Sequence, residues 1–120
     1  MLIDRSVLSV IDNTGVKKVR IIKVLRNKRY ASLGDKVLCS VTKRDHTSKF
    51  KKSDLVLVLI TTIKYNTVSS EGAGVYSRSS MNTCILIDRL KGSVLGSKIL
   101  YPVSLGCSND RVKSLAPFVY

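Results

Sequence analysis

The side chains of this chain best placed to do chemistry are its cations. Lys17, Lys18, Arg20 and Lys23 stand among Val19, Ile21, Ile22, Val24 and Leu25. Arg26, Lys28 and Arg29 follow in a short basic segment closed by Tyr30, and Lys49, Lys51 and Lys52 surround Phe50. Ammonium and guanidinium groups neutralise phosphates and release their counterions, which supplies most sequence-independent affinity for nucleic acid. Arg adds bidentate phosphate contacts. The role this pattern assigns to Lys17, Lys18, Lys23, Arg26, Lys28, Arg29, Lys49, Lys51 and Lys52 is phosphate neutralisation and positioning, not base readout. Tyr30 and Phe50 sit beside these cations, where a ring either stacks on an unpaired base or covers the end of the fold. With aromatics at 6% of residues, the chain lacks the stacking platform of a dedicated single-strand binder.

Catalytic and metal chemistry find no comparable set. His46 is the only histidine, and no nucleophile motif accompanies it. The seven Asp are scattered, and Asp12, Asp35 and Asp88 fall at turns and Asp110 at a helix cap, so no paired-carboxylate site arises. Gly72-Ala73-Gly74 lacks the rest of a dinucleotide fingerprint, and Gly92 to Lys98 has the wrong spacing for a P-loop. Both read as turns. Cys39, Cys84 and Cys107 are odd in number and far apart, which suggests neither a disulfide framework nor a zinc site. Cys39 and Cys84 lie in apolar runs as small buried hydrophobes, and a reducing compartment fits them. The expectation is a non-enzyme with no cofactor, no metal and no small-molecule substrate.

The whole-chain balance agrees with the cation pattern. Against 8 acidic residues stand 21 basic ones, a net charge of +13 in 120 residues, which opposes compaction until a polyanion neutralises it. The charge leans forward: residues 1–60 carry 14 basic and 5 acidic groups, residues 61–120 carry 7 and 3. The 44% hydrophobic content is too high for a disordered chain and suffices for one domain over residues 1–120. The longest apolar run, Leu55 to Ile60, is too short to span a bilayer as a helix, so no membrane role is expected. A strand beginning almost at Met1 leaves no room for a transit peptide, so the expectation is a mature chain or one made where it works. The chain has neither Trp nor Gln and a single Glu, a skew that suits a small biased genome such as an organelle's.

The elements that must carry these residues are strands. Val10 and Ile11 run into Asp12-Asn13-Thr14-Gly15, a turn sequence, and Val16 to Leu25 leaves it, which predicts a β-hairpin with cations on one face. Lys36 to Lys43 alternates with period two, placing Val37, Cys39 and Val41 inward; Leu38 breaks the polar face as a residue for a partner or the tail. Leu55 to Ile63 reads as a buried strand, Lys64 to Ser80 as a protruding hairpin arm, and Cys84 to Ile87 as a short strand. Lys98 to Val103 reads as a further strand ended by Pro102, and Asn109 to Leu115 as the one helix. Val10, Val19, Ile21, Val37, Val41, Val56, Val58, Ile85 and Leu86 are the expected frame. Short strands with little helix predict an all-β barrel or sandwich.

These residues resemble a known family. Val10-Ile11-Asp12-Asn13-Thr14-Gly15-Val16-Lys17-Lys18-Val19 is similar to the opening of the universal large-subunit ribosomal protein L-fourteen family. Ile22-Lys23-Val24-Leu25, Lys28-Arg29-Tyr30-Ala31 and Gly34-Asp35 continue the match. Lys49-Phe50-Lys51-Lys52-Ser53-Asp54 resembles the family's Val-Lys-Lys-Gly-Asp loop, and Gly96-Ser97-Lys98-Ile99, Tyr101-Pro102-Val103 and Ser114-Leu115-Ala116-Pro117 fit its closing elements. The resemblance implies a small five-stranded β-barrel with a projecting hairpin arm and a short C-terminal helix. It implies a structural, rRNA-binding constituent of the large subunit at the subunit interface, packed beside neighbouring large-subunit proteins and helping form bridges to small-subunit rRNA. It also implies docking of a ribosome-silencing factor on the same exposed face, with Ser97 and Lys98 in that area. The chain departs from the family in its arm: Asn66 to Ser80 carries only Arg78 as a cation, where the family is densely basic. A less charged arm suits protein neighbours in a remodelled organellar ribosome, mitochondrial before plastid or bacterial. The rival readings are a free-standing OB-like binder of RNA or single-stranded DNA and a small nuclease. The first wants more aromatics on one sheet face, and the second wants a second His or clustered carboxylates.

Overall fold

The computed structural model describes residues 5–25, 30–63, 67–68, 76–77, 81–103 and 110–116. Five strands close into a barrel in the order β1 (Val7–Val10), β2 (Val16–Val24), β3 (Lys36–Arg44), β4 (Leu55–Thr62) and β7 (Thr83–Ile87). Neighbours pair antiparallel except β1 and β7, whose parallel pairing, Ser9 with Thr83 and Val10 with Cys84, closes the ring. Closure removes the exposed edges that a flat five-stranded sheet would leave. Two short strands, β5 (Thr67–Val68) and β6 (Tyr76–Ser77), form a separate antiparallel ladder where the hairpin arm is expected. A short helix, α1, spans Asp110–Leu115; Asn109, the expected start of this helix, and Cys107 lie outside the described residues.

Two apolar clusters lie on the two sides of the barrel wall. Inside, Leu8, Val19, Ile21, Val37, Cys39, Val41, Val56, Val58, Ile60, Cys84 and Leu86 pack together, with Val10 and Phe50 partly buried against them. Outside, Ile11, Leu59, Ile85, Ile87, Ile99, Val103 and Val112 form a second cluster, with Leu57, Val94 and Leu115 against it. The expected frame is thus buried except for Val10, which is only half-buried, and Ile85 lies on the outer side of the wall. The continuous apolar run of β4 follows from this: Val56, Val58 and Ile60 point inward, while Leu57 and Leu59 face the second cluster. Burial pushes the Cys39 thiol up to about 12 and raises that of Cys84 well above its ordinary value, so both are held as neutral thiols.

Two local features depart from simple alternation. In β2 an extra residue bulges out at Lys17 and another at Ile22, so that Lys17-Lys18 and Ile22-Lys23 each face solvent as a pair. In β4 a bulge at Thr61 brings Thr61 and Thr62 onto one partner: both hydroxyls hydrogen-bond Thr83 Oγ1, at 2.8 and 2.5 Å. With Thr62 O–H also donating to Met81 O at 3.1 Å, the three buried hydroxyls are satisfied. Lys98 to Val103 is not a strand. It touches the barrel through an isolated bridge between Asp12 and Ile99 and the bond from Leu100 N–H to Ile11 O at 2.8 Å. Pro102 has no N–H to extend a ladder, and the β1–β7 pairing has already closed the ring.

Candidate nucleic-acid interface

The cations of β2 sit where the bulges put them. Lys17, Lys18, Arg20 and Lys23 are all exposed on the outer face, between the buried Val16, Val19, Ile21 and Val24. β3 extends this face with two residues that periodicity alone does not flag. Lys43 stands directly opposite Lys18, and Arg44 opposite Val16. Both are exposed, and their place at the tail of an alternating strand was the available signal. Among the described residues none of Lys17, Lys18, Arg20, Lys23 and Lys43 has a carboxylate partner. Like charges set opposite one another across a ladder destabilise it. Arg26, Lys28 and Arg29 lie outside the described residues; Tyr30, just beyond them, is exposed.

The turn Asp12 to Gly15 holds two further segments to this face. Asp12 is buried and fully engaged. Its Oδ1 accepts from Thr14 N–H at 3.1 Å and Thr14 O–H at 2.6 Å, and its Oδ2 from Leu86 N–H at 2.9 Å. The first bonds form an Asx turn, and the last ties that turn to β7. Gly15 has φ +91°, and a Cβ there would lie 2.8 Å from Ser48 Cβ, so no side chain fits. Against it rests the loop between β3 and β4: Gly15 O accepts from Asp45 N–H at 2.7 Å, and Thr14 O from Ser48 O–H at 3.1 Å. This loop carries Lys49, Lys51 and Lys52, all three exposed. Lys51 N–H donates to Asp54 Oδ2 at 2.8 Å, which forms the tight turn into β4.

Asn13 holds the other segment. Its Oδ1 accepts from the N–H groups of Ser97 and Lys98 at 3.0 and 3.2 Å, and its Nδ2 donates to Ser97 Oγ at 2.8 Å. Gly96 passes so close that a Cβ would lie 3.0 Å from both Asn13 Oδ1 and Asp12 Cβ. Asn13, Thr14, Lys49, Phe50 and Ser97 line a cavity of about 390 Å³. The expected cations of the loop and the expected interface residues Ser97 and Lys98 are therefore joined through the hairpin turn. Phe50 leans on the barrel core, as a ring covering the barrel end does. His46 is exposed, and its backbone N–H donates to Asp45 Oδ1 at 2.8 Å.

The closed five-stranded barrel is the fold that the sequence resemblance implies, and its first turn fixes two loops beside a cationic face. The family model for ribosomal protein L14p/L23e matches residues 1–120. The chain belongs to the ribosomal protein L14p/L23e family. As an L14p/L23e protein it is a structural constituent of the ribosome that binds large-subunit rRNA and other ribosomal proteins, a role in translation that is structural and not enzymatic. The barrel of this L14p/L23e chain presents the described cations of β2 together with Lys43 and Arg44 of β3.

Proposed function

We propose that residues 1–120 act as one domain that grips large-subunit rRNA through the outer face of β2 and β3 and the adjoining loop. Lys17, Lys18 and Lys23 neutralise phosphates on the strand, Lys43 and Arg44 extend the grip, and Lys49, Lys51 and Lys52 continue it around the barrel rim. Arg26, Lys28 and Arg29 add to it from the segment after β2. The observation that carries this reading is the placement of Lys18 opposite Lys43, beside Lys17, without a carboxylate partner among the described residues. Such a face costs free energy in the isolated chain and gains it against a phosphate backbone.

The Ser97–Lys98 segment serves as a protein-facing platform at the subunit interface, near the bridges to small-subunit rRNA and open to a ribosome-silencing factor. Its support is the Asn13 clamp, which fixes two exposed residues in one conformation. The weakly basic stretch Asn66 to Ser80 and the skewed composition support an organellar ribosome, mitochondrial first. Sedimentation of tagged protein from cells tests the core of this reading. Co-migration with large subunits after a high-salt wash is expected, and a sharp peak at free-protein size would overturn it. Fractionating organelles before the gradient tests the compartment: recovery only in cytoplasmic ribosomes would refute the organellar assignment.

A further inference from the structure

The outer apolar stripe is longer than the part that the chain covers. On β4 the outward residues are Leu59, Leu57 and Leu55. Leu59 is buried in the second cluster, Leu57 is half-buried against it, and Leu55 is 51% exposed. Beyond this end the turn after β7 projects Leu90, 96% exposed, and Leu95, 45% exposed. Together Phe50, Leu55, Leu57, Ile87, Leu90 and Leu95 line an open groove of about 650 Å³. Single exposed leucines are ordinary; several that converge on one groove, continuous with a buried core, mark a binding surface.

The chemistry of the groove selects its occupant. Phosphates need cations, and this floor is aliphatic and aromatic, with Arg89 its one lining cation. The rim is positive. Arg89 and Lys91 are exposed on the turn, and Lys36 Nζ lies 3.5 Å from where a Cβ would stand on Gly92. The nearby acids are engaged by backbone: Asp88 Oδ1 accepts from Leu90 N–H at 2.9 Å and Asp54 Oδ2 from Lys51 N–H at 2.8 Å. Apolar anchors for the floor and carboxylates for the rim describe one kind of ligand. We infer that this groove docks an amphipathic segment of a neighbouring ribosomal protein, with large apolar side chains seated on Leu55, Leu57 and Leu95 and an acidic flank against Arg89. This inference rests on the chain's place in the large subunit.

A benzophenone amino acid at position 90, in the tagged full-length chain, tests it on large subunits isolated from cells. Leu90 is almost fully exposed, so the replacement leaves the barrel intact, and co-sedimentation shows incorporation separately. The expected product is a cross-link to one protein, at a segment with apolar residues three or four apart flanked by Asp or Glu. Leu55→Ser or Arg89→Glu should lower its yield about tenfold, as truncation of interface anchors does, while Arg89→Lys retains it. A cross-link to rRNA, or none, in subunits that contain the chain would overturn the groove and leave the ribosomal role standing. Failure of the chain to enter large subunits would overturn both.

Discussion

The two outer faces of the barrel use the same backbone for opposite purposes. Cross-strand rows show the handover. Arg20 on β2 lies beside Ser40 on β3, which lies beside Leu55 on β4; one row along, Lys23, Leu38, Leu57 and Ile87 follow in sequence across four strands. Within a few strand widths the outer surface passes from cations to aliphatics. On the β2 side the outward groups have no protein cover among the described residues. On the β4–β7 side they meet Ile99, Val103 and Val112 from the segment after β7. The inward residues fill the barrel, and the outward residues specify what lies against each face. On the proposed assignments, phosphates lie against one side and protein against the other, first the chain's own and then, in the groove, a partner's.

The strongest way to break this contrast is to place the same new charge on both faces. Leu59→Lys puts an ammonium into the buried outer cluster and should cost about 4 kcal/mol of unfolding free energy in a urea titration. Ile22→Lys puts it on the cationic face, where Ile22 is 44% exposed, and should change stability by no more than about 0.5 kcal/mol. Equal losses would mean that the β2 face is packed against something in the free protein.

The next largest effect lies where the faces are joined. Asp12 binds the hairpin turn to β7, and its removal strands the buried Leu86 N–H and loosens the turn that holds both loops. Asp12→Ala should cost about 3 kcal/mol, read by the same titration. Asn13→Ala breaks only the exposed clamp on Ser97 and Lys98. It should cost much less, yet expose the 96–98 segment to faster amide exchange. If the two substitutions cost the same, the turn does not divide its work in this way.

A smaller effect on stability accompanies a larger one on binding. Reversing Lys17 and Lys18 to Glu should weaken binding to a structured rRNA fragment about tenfold or more near 0.1 M salt. It should also flatten the slope of log affinity against log salt by about 1.5, for two lost phosphate contacts. Stability should hold or rise slightly, because Glu at position 18 would face Lys43 across the ladder. A fall in melting temperature together with affinity would show that these side chains serve the fold.

Different amounts of these faces were legible in the residues. β3 alternates cleanly, so its inward Val37, Cys39 and Val41 could be read directly. β4 is apolar on both sides, and its continuous run said only that both were covered, not that one cover includes Ile99, Val103 and Val112. The bulges at Lys17 and Ile22 were invisible, because an extra residue in a ladder depends on the partner strand. The hairpin read correctly as cationic and half-buried, yet Lys43 became part of the site only through its pairing. Lys98 to Val103 carries the composition of a strand but packs as an irregular cover, since nothing local reports that the ring is already closed. The role of Asn13 was equally hidden: its partners are 84 and 85 residues away.

The smallest effect concerns the loop that passes from one face to the other. Ser53 sits between the cationic end of β3 and the apolar start of β4 with φ +72°, in the left-handed region. Its N–H donates to Val41 O at 2.8 Å and Asp54 N–H to Lys51 O at 3.1 Å, so the turn cannot relax without losing ladder bonds. The family loop that this segment resembles has Gly there, the residue that adopts this conformation without cost. Left-handed backbone costs a side-chain-bearing residue roughly 1–2 kcal/mol, and the greater freedom of Gly in the unfolded chain returns part of that. Ser53→Gly should therefore stabilise the protein by about 0.5 kcal/mol, a rise of roughly 2 °C in a thermal melt. Because the turn keeps its hydrogen bonds, Lys49, Lys51 and Lys52 stay where they are, and rRNA affinity should be unchanged. A stability gain accompanied by weaker binding would mean that the strained serine itself sets the loop's pose against RNA, and the boundary between the two faces would then be a functional element in its own right.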